Sequence, residues 1–98
     1  MASTFQKFDK NKPRWSLLPW ETLELVVQIL EFGAQKYGAE NWKKCEDSSR
    51  YSDALIRHWR AHCGGEYLDA DSGMPHVVCM VANVLFFATL ELKKGEKK

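Results

Sequence analysis

Charge of one sign is what the sequence most plainly lacks: fourteen basic residues stand against thirteen acidic ones, a net charge of +1. That balance excludes a broad basic surface of the kind that grips a nucleic-acid polymer. Cysteine is scarce as well, and three at irregular spacing make no disulfide framework. The start of the chain has no charged, then apolar, then small-residue pattern of a secretory signal. Together these features predict a reduced, cytoplasmic protein. No Gly-rich phosphate loop, no alternating strand pattern and no internal repeat is present, so the familiar parallel-sheet nucleotide folds are excluded. The longest apolar run, residues 77–92, is interrupted by Asn83, Thr89 and Glu91. It falls short of the roughly 20 apolar residues that a bilayer requires, and it predicts a helix buried inside a bundle or between subunits, with no membrane partner.

What remains is helical. Ninety-eight residues make one domain with a modest core, which a second copy would help to stabilise, so a homo-oligomer is expected. Residues 1–18 read as an extended arm carrying Lys7, Lys10, Lys12 and Arg14, with Trp15, Leu17 and Leu18 as an apolar anchor. Pro19 opens a first helix, Trp20 to Tyr37, which Gly38 stops. Its apolar residues form two stripes, Leu23, Val27, Leu30 and Ala34, then Leu25, Ile29 and Phe32, and leave Glu21, Glu24, Gln28, Glu31 and Gln35 as a polar face. A second helix, Ser49 to Cys63, has Ser48 or Ser49 as its cap and Gly64-Gly65 as its stop. A third spans residues 74–92, and 93–98 form a charged tail that frays. The fold class is all-α, a small bundle of three main helices.

Chemistry concentrates between the second and third helices. Glu66, Asp69, Asp71 and His76 fall in one short turn region, and a hard cation such as Mg²⁺ takes carboxylates and water while bridging to phosphate oxygens. Glu21 and Glu24, one turn apart, have the spacing for two carboxylates to share a metal, although acids in a first turn also answer the helix dipole. Arg50, Arg57 and Arg60 make a basic stripe able to hold a triphosphate or simply to meet water. His58 and His62, with His76 and Cys79, offer four ligands of zinc type, a set that requires all four groups to converge. Asp69-x-Asp71-x-Gly73 opens like a calcium loop, but Met80 stands where the bidentate Glu belongs, which excludes that reading. His76 and Asn83, two turns apart on an apolar helix, point to a polar pocket or a hydrogen-bonded network between helices. Trp42 in a polar loop either packs on the core or stacks on a ring, with Asn41 beside it able to bond a base edge.

Four segments in order, KPRWSLLP at 12–19, FGAQKYGAENW at 32–42, RHW at 57–59 and GGEYLDADSGMPH at 64–76, followed by Asn83, resemble the phage-type dATP/dGTP diphosphohydrolase family. That family is similar to the all-α MazG-type nucleotide pyrophosphohydrolases. The resemblance implies cleavage of a purine deoxynucleoside triphosphate to monophosphate and pyrophosphate, with Mg²⁺ or Mn²⁺ as cofactor. The matching positions are Lys36, Tyr37, Asn41, Trp42, Arg57, His58, Glu66, Asp69, Ser72, His76 and Asn83, while Cys79 stands where histidine is common in the family. On physical grounds Glu66 and Asp69 would bind metal, with Glu24 across the bundle; Glu66, Asp69 and His76 would carry catalysis. Arg57 and Lys36 would hold phosphates, and Trp42 or Tyr37 would stack on the base. A second expectation is a non-catalytic phage sponge that sequesters a signalling nucleotide of host defence.

Overall fold

The computed structural model describes residues 4–96. Three helices form it, α1 (Trp20–Tyr37), α2 (Ser49–Cys63) and α3 (His76–Glu96), with short 3₁₀ turns at Trp15–Leu17 and Asn41–Lys44. Among the described residues there is no strand, and the fold is all-α as the sequence predicts. Gly38 ends α1 at φ 93°, its N–H donating to the Ala34 carbonyl at 2.8 Å, a left-handed stop that glycine takes without a Cβ penalty.

The start of α2 differs in detail from expectation. Asp47, not Ser48 or Ser49, is the capping side chain: its Oδ1 accepts from the Ser49 N–H at 3.1 Å and the Ser49 hydroxyl at 2.6 Å. Ser48 is buried instead, and its hydroxyl donates to Glu91 on α3 while Lys94 Nζ donates to it at 3.0 Å. This polar node joins the first turn of α2 to the last turns of α3. At the opposite end His58 meets His76, so the two helices run antiparallel. The node also explains why α3 continues to Glu96 where the sequence suggested a fraying tail from 93: Lys93 and Lys94 lie in the last turn, where cations complement the helix dipole.

α3 begins at His76, not 74, because the residues before it belong to a closed loop. Leu68 and Pro75 form an isolated antiparallel bridge, Asp69 N–H donates to Met74 O at 2.7 Å, and His76 N–H donates to Tyr67 O at 2.9 Å. Gly73, at φ 74°, turns the chain back, with its N–H on the Asp69 carbonyl at 2.7 Å. By length and composition α3 is apolar enough to cross a membrane. Here it packs against both other helices, and His76, Cys79, Ala82 and Leu90 are among its buried residues.

α1 is held on one side only, a correction to the two-stripe reading. Val26, on neither predicted stripe, is its buried residue, and it packs with Val78 and Ala82 while Ile29, Leu30 and Met74 close around them. Contact at i, i+3 and i+4 needs only a narrow seam, and Val27 and Leu25 stay exposed. In the N-terminal arm the expected apolar anchors Trp15 and Leu17 are likewise exposed. Extents of 60 × 39 × 26 Å reflect an elongated molecule.

Two outcomes follow. Val26→Ala removes a side chain that is 2% exposed and lowers stability by about 2 kcal/mol, read as a lower urea midpoint at unchanged slope. The Asp47 carboxyl sits below its ordinary value because the Ser49 hydroxyl and amide bond its charged form. A folded-state pKa depressed in this way gives stability that is present above the unfolded value and lost as pH falls through the folded one. Asp47→Ala is therefore less stable than the parent near neutrality, and thermal melts of the two converge in acid as Asp47 takes up its proton.

Candidate functional site

Between the second half of α1, the 3₁₀ turn and the α2–α3 pair lies an open cleft of about 1040 Å³. It exists because α1 grips α3 through Val26, Ile29 and Leu30 and then stands off, with small residues Gly33, Ala34, Ala54 and Ala82 facing the gap. Lys36, Tyr37, Asn41, Trp42, Arg57, His58, Asp69, Ser72 and Asn83 all line it, so nine of the residues singled out from sequence share one wall or another of the same cavity.

At one end His58, Asp69 and His76 each offer a ligand atom within 4.8 Å of the others, a group able to hold a metal ion. His58 Nδ1 and His76 Nδ1 face each other at 2.7 Å. A hydrogen bond at that distance needs one donor and one acceptor, so a single proton lies between two nitrogens; a cation held by both, at about 2.1 Å from each, would displace that proton and move the rings apart. Burial, partly offset by Asp69, holds His58 below its ordinary imidazole pKa, which keeps the ring neutral as a metal ligand must be. Burial pushes the Asp69 carboxyl up, but the Ser72 N–H at 2.9 Å and hydroxyl at 2.8 Å bond its Oδ2, and with help from His58 and His76 the net effect lies below the usual value. Two imidazoles and an ionised carboxylate are a donor set that fits a divalent cation.

The carboxylates expected beside Asp69 are placed elsewhere. Glu66 is not in the group; its Oε1 lies 3.6 Å from His76 Nε2, and its side chain is 54% exposed. Glu24 is exposed on α1 and does not line the cleft. Glu31, seven residues further and about 10 Å along the axis, does line it. The zinc-type quartet does not converge either: His62 stacks with Trp59 and lies beside Tyr67, and buried Cys79 has its Sγ 3.8 Å from the Ser72 hydroxyl. Burial pushes that thiol's pKa up, which keeps it protonated and a poor ligand.

The polar and aromatic residues are partly engaged with each other. Lys36 Nζ pairs with Asp71 Oδ2 at 2.7 Å and sits 5.2 Å from the Tyr37 ring centre. Trp42 packs on the core, stacked on Phe86 at 4.8 Å, with Tyr51 edge-on to Phe86 at 5.3 Å. Asn83 donates to the Cys79 carbonyl at 2.9 Å, leaving its side-chain oxygen toward other partners. Arg50, Tyr51, Asp71 and Phe86 also line the cleft. Of these, Arg50 was legible on the basic stripe and Asp71 in the acidic turn region, but nothing in its neighbours marked Phe86 as more than core.

The family described as dATP/dGTP diphosphohydrolase, N-terminal, matches residues 2–98. The chain belongs to this family. A dATP/dGTP diphosphohydrolase of Salmonella phage PMBT28 is 31% identical over 80 residues, which is 82% of this chain and 27% of that protein. The chain thus spans about a quarter of the length of the curated relative it matches. No solved structure matches. Within the dATP/dGTP diphosphohydrolase N-terminal family, then, this chain places a His-Asp-His group at the end of a cleft lined with lysine, arginine and aromatic rings.

Ser72→Ala tests the electrostatics directly. With the hydroxyl gone, burial weighs more heavily on Asp69, and its carboxyl pKa, followed by NMR, should rise toward or past the ordinary value of about 3.9.

Proposed function

We propose that the protein is a metal-dependent nucleotide diphosphohydrolase acting on free purine deoxynucleoside triphosphates. The observation that carries this reading is the meeting of His58, Asp69 and His76, the first two of which line one cleft with the phosphate-binding candidates Lys36 and Arg57 while His76 is buried behind them. Of the two ions expected, Mn²⁺ suits the group better than Mg²⁺, because two imidazole nitrogens favour a transition metal and the carboxylate tolerates either. Such an ion, when bound, polarises a phosphoryl oxygen and lowers the pKa of its water.

The chain's own residues supply the rest. Lys36 and Arg57 hold phosphate oxygens, the first after exchanging Asp71 for the substrate's charge. Asp69, kept ionised by Ser72, balances the cation and orients the polar end of the cleft. Cleft residues on α3 run from Cys79 to Phe86, and from His76 to Phe86 the helix rises about 15 Å, room for an extended nucleotide with its base against the wall of Trp42, Tyr51 and Phe86. Asn41 and Asn83 are placed to bond the base or sugar. A second copy would cover exposed apolar side chains such as Trp59, Val81, Val84 and Leu85, consistent with a homo-oligomer.

A nucleotide-sequestering role is the second reading, favoured by the single carboxylate in the donor group. One assay separates the two. Incubation with each deoxynucleoside triphosphate and Mn²⁺ should release pyrophosphate from dATP or dGTP, and Asp69→Asn should cut that rate by about 100-fold or more with the helical circular dichroism unchanged. Recovery of every nucleotide intact from the parent protein would overturn the enzymatic reading, and tight retention of one of them would establish the other.

A further inference from the structure

His76 presents a problem that the donor group does not resolve. The residue is 4% exposed. Its Nδ1 is engaged with His58, while its Nε2 is fully enclosed and has no hydrogen-bond partner. A buried ring nitrogen without a partner costs free energy, whichever tautomer it adopts. Glu66 Oε1 lies 3.6 Å from Nε2, beyond hydrogen-bond length. Glu66 is well placed to close that gap. Its side chain is half in solvent, while its backbone is held by the Glu66 N–H donating to the Ala61 carbonyl at the end of α2 at 3.0 Å. A movement of about 0.5 Å by a free carboxylate brings it to bonding distance.

We propose that Glu66 is a positioning residue for His76. Its carboxylate accepts the Nε2–H, fixes the imidazole in the Nε2-protonated tautomer and so leaves the Nδ1 lone pair facing His58 and Asp69, ready for a cation. This assignment rests on the metal reading of the His58–Asp69–His76 group and changes the part that Glu66 plays in it: the residue that the sequence offers as a ligand stands behind a ligand. A carboxylate in that place holds the ring's angle and raises the basicity of the nitrogen on its far side.

The test compares Glu66→Ala and Glu66→Gln with the parent, all free of nucleotide. Calorimetric titration with Mn²⁺ should show binding weakened about 10- to 100-fold in Glu66→Ala and held within about threefold in Glu66→Gln, whose amide oxygen still accepts the Nε2–H. Long-range ¹⁵N–¹H spectra of the metal-free parent should show His76 protonated at Nε2, and the Ala variant should show a mixture of tautomers. Parent-like Mn²⁺ affinity in Glu66→Ala, an equal loss in Glu66→Gln, or a parent His76 protonated at Nδ1 would each overturn the proposal. Asp69→Asn serves as the separate control: if it binds Mn²⁺ as tightly as the parent, the metal reading itself fails, whatever Glu66 does.

Discussion

Two imidazole nitrogens 2.7 Å apart across the seam of α2 and α3 set the conditions that the rest of the molecule meets. Neither ring can be satisfied there alone, since two nitrogens in contact at that distance require a proton shared between them. The approach depends on antiparallel packing, secured at the far end by Ser48, Glu91 and Lys94. It depends equally on the connecting loop, whose bridge at Leu68 and Pro75 and whose Asp69–Ser72 bonds deliver a carboxylate to the same corner. The loop is thus a rigid, internally bonded piece, and its acidic residues are positioned by backbone pairing before any ligand is considered.

The cleft is a consequence of economy in α1. A helix that buries Val26 and flanks it with Ile29 and Leu30 needs only one seam, and what lies beyond that seam stays open. Lys36 at the end of α1 reaches across to Asp71, so the entrance is framed by opposite charges exposed enough for solvent to screen their attraction. A pair of this kind is cheap to separate, which suits the exchange of partners proposed for Lys36.

The helices were legible because their punctuation is local: Pro19, Gly38 and Gly64 bracket α1 and α2 where the structure has them. The candidate site was legible as a region. Acidic and histidine residues crowded between two glycines and an apolar run identify the loop, and the resemblance of four ordered segments named the family. The pairing within that region was not legible. Whether Glu66 or His58 stands nearest Asp69 is decided by the left-handed turn at Gly73 and by the antiparallel register, neither of which a linear spacing encodes. Glu24 failed as a cleft residue for a related reason: it shares a stripe with Glu31, but the cleft begins only after Val26 has made its contact. Trp42 took the packing role because Phe86, far away in sequence, offered it a ring.

The donor group and the cleft come from different parts of the chain, and this divides the contacts each depends on. His58, Asp69 and His76 all belong to the continuous stretch 48–96, a helix, a short loop and a returning helix. Closing a loop that short costs little entropy, so such a hairpin forms rapidly from local contacts. α1 must then be drawn in across a much longer separation to land Val26 on Val78. The His-Asp-His corner thus needs only contacts local in the chain, whereas the cleft needs α1, which is far from α3 in sequence.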